Sequence, residues 1–293
     1  FTKLLTVPNA HAVDYTCTGS SDNITWEDNG NWDVGGSYPD DNGDRAIIDS
    51  TSNSIATTTG TLTLGRLDIT TGFTGTLTLG GSLVIDDAGA HNGNLTMTAA
   101  GTFQTTEDAY TQIVVDGTFT IGSSATVIVQ RASTTANGGN GAGQIITAGT
   151  MTIDGTLHAD GRGFGNSVGP GAGTDGSNAG GAAYGGAGGV ATSGTAGGSV
   201  YGSFSNPTSL GSGGGEDGNG NIPGGAGGGA ITLIITNTLD IDGTLSVSGA
   251  QGTGSEAGGG SGGSLNITAT TITGIGVVQV LGGDGANSIS AGG

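Results

Sequence analysis

The chain has 293 residues and a formal net charge of −19, and its only basic side chains are Lys3, Arg45, Arg66, Arg131 and Arg162. Nucleic acid or an anionic membrane surface is held by a basic patch, which five scattered cations do not make, so neither partner is expected. Helix formers are scarce, with Lys present once and Glu four times, while 66 glycines and many Thr and Ser residues surround alternating apolar positions, so an all-β chain is expected.

Residues 1–12 begin at Phe1, and the stretch Leu4 to Ala12 ends in Ala10, His11, Ala12, the small-x-small spacing of a signal-peptidase site, which points to export. If it is retained, the segment reads as an extended strand with no local partner. Thr2, Leu4, Leu5 and Val7 are then candidate assembly residues that add a strand to a neighbouring subunit. Pairing within the same subunit is the alternative.

Residues 13–53 hold Tyr15, Trp26, Trp32 and Tyr38, bulky side chains suited to covering the end of a stacked core. Both Trp residues therefore read as cap core rather than as a sugar-stacking surface. Cys17 is the single cysteine and has no partner for an internal disulfide. The order Trp26, Asn31, Trp32, Pro39, Asp44, Ala46, Ile48 resembles the opening segment of bacterial exported β-helix surface proteins, the autotransporter-like and adhesin-like solenoids. That resemblance implies a parallel β-helix and an extracellular or cell-surface location.

From residue 54 to 160, short segments alternate in period two: Thr61 to Leu64, Thr76 to Leu79, Leu95 to Thr98, Ile113 to Ile121, and Val127 to Val129. Leu62, Leu64, Leu77 and Leu79 are expected on one face. Thr61, Thr63, Thr76 and Thr78 then point outward as threonine ladders if the segments stack. Residues 161–230 break this pattern, with glycine at 28 of 70 positions. Collagen is excluded because the glycines do not fall every third residue. A flexible linker is one reading. The other is an ordered insertion that resembles glycine-rich polyproline-II bundles, anchored by Phe164, Tyr184, Val190, Val200, Tyr201, Phe204 and Leu210.

Residues 231–293 return to alternation. A phrase recurs: Ile241-Asp242-Gly243-Thr244-Leu245, Ile153-Asp154-Gly155-Thr156-Leu157 and Val115-Asp116-Gly117-Thr118-Phe119. Asp-Gly tolerates positive φ, so each copy reads as strand, tight turn, strand. Residues 228–252 are echoed by 262–285, Gly243 matching Gly276 and Leu245 matching Val278, with one residue slipped upstream. Fixed-period self-similarity means stacked units. The expected fold is a right-handed parallel β-helix (solenoid) over 54–160 and 231–293, with an aromatic N-terminal cap over 13–53 and a glycine-rich insertion over 161–230. Residues 151–161 should then lie beside 239–249. The closing Gly292-Gly293 offers no cap, as expected of a fragment or of an end that stacks on another subunit.

Few residues suggest chemistry. Asp40, Asp41, Asn42 and Asp44 form an oxygen-rich loop that suits calcium, although the spacing is not that of an EF-hand. Asp86 and Asp87, as neighbours on a strand, are expected on opposite faces, unlike paired catalytic carboxylates. His11, His91 and His158 have no metal-spaced or serine-elbow partner. The repeated Asp116, Asp154 and Asp242 fit turn geometry. An enzyme is not expected. The chain reads as a secreted structural protein that associates with copies of itself into a filament or surface layer. The alternatives are an adhesin for carbohydrate or a host surface, a polysaccharide-active enzyme, and an ice-binding protein.

Overall fold

The computed structural model describes residues 13–22, 25–49, 54–57, 60–88, 91–286 and 291–293. Thr2, Leu4, Leu5 and Val7 lie outside the described residues, as do His11 and Lys3. The strands, in chain order, are β1 (Val13–Thr16), β2 (Asp44–Ile48), β3 (Ser54–Ala56), β4 (Thr61–Leu64), β5 (Arg66–Ile69), β6 (Thr76–Leu79), β7 (Ser82–Ile85), β8 (Leu95–Met97), β9 (Thr102–Thr105), β10 (Gln112–Ile121), β11 (Thr126–Ile128), β12 (Gln144–Ile153), β13 (Thr156–His158), β14 (Ala230–Ile241), β15 (Thr244–Ser246), β16 (Ser264–Thr273) and β17 (Val277–Gln279). Helix is confined to a 3-10 turn at Asn29–Asn31 and one turn at Ala136–Gly139 among the described residues.

The described strands form two sheets in which every strand pairing is parallel. The larger runs β1-β2-β5-β8-β10-β12-β14-β16, with β4 and β7 joining beside β10; the smaller runs β3-β6-β9-β11-β13-β15-β17. From β8 onward the chain alternates between the sheets, so each new strand lies beside the one two earlier. Parallel strands cannot be joined by a tight hairpin, and the second sheet acts here as the crossover between successive strands of the first.

Because residues pair in register, equal positions stack into ladders that run the length of the fold. One ladder of the larger sheet is Tyr15, Ala46, Leu67, Leu95, Phe119, Met151, Leu239 and Ile272. A second is Ile48, Ile69, Met97, Ile121, Ile153 and Ile241. The smaller sheet answers with Ile55, Leu77, Phe103, Val127, Leu157, Leu245 and Val278. All but Ile272 and Val278 are buried and belong to one continuous core. Each buried aliphatic side chain contributes roughly 1.5–3 kcal/mol, and stacking lets every strand supply such residues to the same strip.

The outward threonines differ from expectation. Thr61 lies on β4 in the larger sheet and Thr76 on β6 in the smaller, so the two do not share a ladder. The ladder that forms instead is Thr76, Thr102, Thr126, Thr156 and Thr244, beside the buried row of the smaller sheet. A period-two pattern shows which face a residue takes but does not show which sheet its strand joins.

The Asp-Gly phrase also divides. Met151 pairs with Leu239, Ile153 with Ile241 and Leu157 with Leu245, so 151–161 and 239–249 are neighbours across the long intervening segment. At both, Asp-Gly makes the bend between the sheets. A Cβ on Gly243 would stand 2.0 Å from the Gly155 carbonyl oxygen, so glycine is needed there for close approach. Asp116-Gly117, by contrast, sits inside the single strand β10, where the register to β12 shifts between Val115 and Thr118. It is a bulge and not a corner. The same shift recurs between Ala148 and Met151 and between Ile235 and Thr238. The last of these is the one-residue slip legible in the 33-residue echo.

Residues 161–229 are ordered without strands. Gly213, Gly214 and Gly215 donate in turn to the carbonyls of Val168, Gly225 and Gly180, and Gly258, Gly259 and Gly260 to those of Gly215, Ala291 and Ala250. Three consecutive amides thus bond to three different neighbouring runs. Gly211 and Gly214, three apart, return to Gly228 and Gly225 of one run. Both facts require about three residues per turn, the periodicity of polyproline II, whose backbone bonds only outward. The runs around 249–262, 281–286 and 291–293 pack in the same bundle, which therefore extends beyond the expected boundary at residue 230.

Candidate functional site

At the aromatic end, Trp26 and Trp32 pack with ring centroids 4.8 Å apart. Trp26 Nε1 donates to the Pro39 carbonyl at 2.9 Å, and Trp32 Nε1 to the Trp26 carbonyl at 2.8 Å. Both rings are buried, as is Cys17. Their faces are spent on the core and leave nothing for a sugar ring.

The acidic loop is built as a turn. Asp44 Oδ2 accepts from the Asp40 amide at 3.1 Å, and Asp41 Oδ1 accepts from the Gly43 amide at 2.7 Å. Asp40 and Asp41 are exposed, whereas Asp44 points inward. Burial pushes the Asp44 carboxyl above the usual carboxylate range, against the lowering effect of the Asp40 amide. The loop's geometry is thus accounted for by its own hydrogen bonds.

A different acidic group comes together through the fold. Asp86 and Asp87 follow β7 and do not face apart; their carboxylate oxygens lie with that of Asp116 within 4.8 Å of one another. The β10 bulge supplies Asp116. The three sit at the surface, where acidic groups also gather without a cation. No spacing rule on the sequence links residues 87 and 116.

Arg45, Arg66 and Arg131 are committed to carboxylates. Asp68 Oδ2 accepts from Arg45 Nε at 2.6 Å and from Arg66 Nε at 2.7 Å, and its side chain is nearly buried. Arg131 pairs with Asp108 at 2.9 Å and also with Glu107. Among the histidines, His158 on β13 lies 3.8 Å from Asp160 Oδ2, while Asp160 Oδ1 accepts from Ser246 Oγ at 2.5 Å and from the Ser248 amide at 2.6 Å. Burial holds the imidazole below its ordinary value, against the attraction of Asp160. Ser246 is bonded to the carboxylate, so this cluster lacks the Ser-to-His contact of a hydrolytic triad.

The expected anchors of the glycine-rich region separate into two groups. Phe164 and Leu210 are buried with Ala230 in a small second core. Val190, Val200 and Phe204 are exposed. Tyr184 and Tyr201 cross edge to face at 4.9 Å; Tyr184 shares a 2.6 Å hydrogen bond with Ser264 Oγ, and Tyr201 donates to the Leu210 carbonyl.

The stack ends in exposed apolar side chains. Ile272, Ile275, Val277, Val278, Val280 and Leu281 are all open to solvent, Ile275 at 93%. Among the described residues, β16 pairs only with β14 and β17 only with β15, which leaves one edge of each free. A groove of about 520 Å³, lined by Tyr184, Tyr201, Phe204, Leu265 and Val280, is continuous with this end. The ladder positions of Ile272 and Val278, interior in every earlier layer, become surface here because no further layer follows among the described residues. No helix among the described residues is long and apolar enough to cross a membrane.

Comparison with family models, with curated proteins and with solved structures gives no match for this chain.

Proposed function

We propose that the chain is an extracellular structural protein, a right-handed parallel β-helix whose copies join end to end into a filament or surface layer. The observation that carries this reading is the exposed terminal layer: Ile272 and Val278 continue ladders that are buried in every earlier layer, and Ile275 and Val280 are exposed beside them. A contiguous apolar end with free strand edges is the surface that strand addition or stacking buries. The opposite end differs, being closed by Trp26 and Trp32. Two unlike ends favour a head-to-tail contact, which does not close on itself and so propagates. Thr2, Leu4, Leu5 and Val7 are the candidate strand that one copy adds to the β16 edge of the next. The resemblance to exported β-helix surface proteins at residues 26 to 48 supports the extracellular setting.

Sedimentation velocity and negative-stain imaging across a concentration series test the reading. Wild-type protein is expected to form elongated multimers, and the double variant Ile275→Asp, Val278→Asp to remain monomeric with unchanged circular dichroism. A wild-type chain that stays monomeric at every concentration rejects self-association. A Leu5→Asp, Val7→Asp variant that still assembles keeps the stacking surface and removes the donor strand.

A further inference from the structure

A second groove, of about 510 Å³, opens on the outer face of the larger sheet, away from the terminal layer. Its floor is a row of one side chain per strand. Gln112 of β10 pairs with Ile145 of β12, which pairs with Thr232 of β14, and Ser82 of β7 lies next in line, its Oγ accepting the Gln112 amide at 3.1 Å. Parallel strands set such a row at steps of about 4.8 Å. Asn206 and Thr208, from the glycine-rich region, form one wall.

Tyr110 forms the other wall and is 67% exposed. The loop that carries it is fixed by Gln144, whose side-chain oxygen accepts the Thr111 amide at 2.9 Å and whose nitrogen donates to the Ala109 carbonyl at 2.6 Å. Thr111, 2% exposed, borders the groove, and its buried hydroxyl has no partner among the described residues. Among the described residues no charged side chain lines the groove, although the chain carries −19.

We infer that this groove binds a neutral glycan chain laid across the strands. A ring held ready in space, amides and hydroxyls around it, and a lining without charge match a ligand that is apolar on its ring faces and hydroxylated at its edges. An acidic polysaccharide needs cations to meet it; Arg45, Arg66 and Arg131 are paired with carboxylates, and neither they nor Arg162 line this groove. The periodic floor suits a repeating polymer, successive units meeting successive strands.

The test is an array of immobilised oligosaccharides, neutral (glucans, mannans, xylans, galactans) and acidic (oligogalacturonate, alginate), probed with the full chain and followed by calorimetry at low and high salt. At least one neutral series is expected to bind, with affinity rising with chain length and indifferent to salt. Tyr110→Ala and, separately, Gln112→Ala are expected to weaken it at least tenfold; both side chains are exposed, and circular dichroism checks the fold. Three results overturn the proposal: no neutral glycan bound, acidic glycans alone bound, or undiminished binding by both variants. Self-association is read separately by sedimentation, so either reading can fail without the other.

Discussion

At the residue scale, glycine does two jobs in this chain that composition alone does not separate. Gly225 packs so closely that an added Cβ would lie 1.9 Å from the Ala250 carbonyl oxygen, and its nearest atoms are backbone. Gly186 has open space around it. Gly225→Ala is therefore expected to cost roughly 1–3 kcal/mol or more, because a carbonyl-lined contact cannot yield as a flexible side chain does. Gly186→Ala is expected to be neutral or to stabilise by about 0.4–1 kcal/mol through the unfolded chain. Urea unfolding of the two variants distinguishes the sites.

His158 gives a second residue-scale expectation. Its folded pKa is lowered from 6.5 by burial, so the unfolded chain takes up the proton first as pH falls. The contribution to stability is whole above about 6.5 and is lost as pH drops below it. Between pH 8 and pH 5 the melting temperature of wild type is expected to fall further than that of His158→Gln. Equal falls in both proteins would show that the imidazole is not the group responsible.

At the scale of the element, the bundle from 161 onward tests whether order requires strands. Its amides bond to neighbouring runs in a three-residue cycle, and Gly213, Gly214 and Gly215 each have a backbone partner at 2.9–3.0 Å. Hydrogen exchange is therefore expected to find these amides protected to a degree approaching that of β12 and β14, and far above the Gly185–Gly186 tip. Rapid exchange throughout 211–215 and 225–228 would mean the bundle opens independently of the sheets. The long strands carry a related lesson. β10 receives β7 along one half and β8 along the other, and the bulge at Asp116-Gly117 lets one strand span both. Asp86, Asp87 and Asp116 meet as a consequence of that junction.

At the scale of the molecule, the two ends set the behaviour. One is sealed by Trp26, the largest fully buried side chain, and Trp26→Ala is expected to cost about 3–5 kcal/mol in chemical denaturation, as for other buried aromatic truncations. The other exposes Ile272 and Val278, the last members of two ladders. The Ile275→Asp, Val278→Asp variant is expected to lose assembly while keeping its unfolding midpoint, because both side chains are already open to water in the isolated chain. A large fall in that midpoint would show that the terminal layer is packed within the subunit.

Alternation, the Asp-Gly phrase and the 33-residue echo by themselves determined the all-β character, the inward positions of Leu245 and Leu157, and the adjacency of 151–161 with 239–249. These are local signals: a period of two places a side chain on a face, and a repeated period pairs like with like. The sequence also marked Trp26 and Trp32 as core, since large apolar rings seek burial wherever an end needs covering. Only the tertiary structure decided which sheet each strand joins, why Val115-Asp116-Gly117 is a bulge while Ile241-Asp242-Gly243 is a bend, and that glycine runs far apart in the chain interlock by threes. Tyr110, Gln112, Asn206 and Thr232 became neighbours in the same way. Such placements follow from how long each connection is and what it packs against, which are non-local quantities that no pattern within a strand encodes.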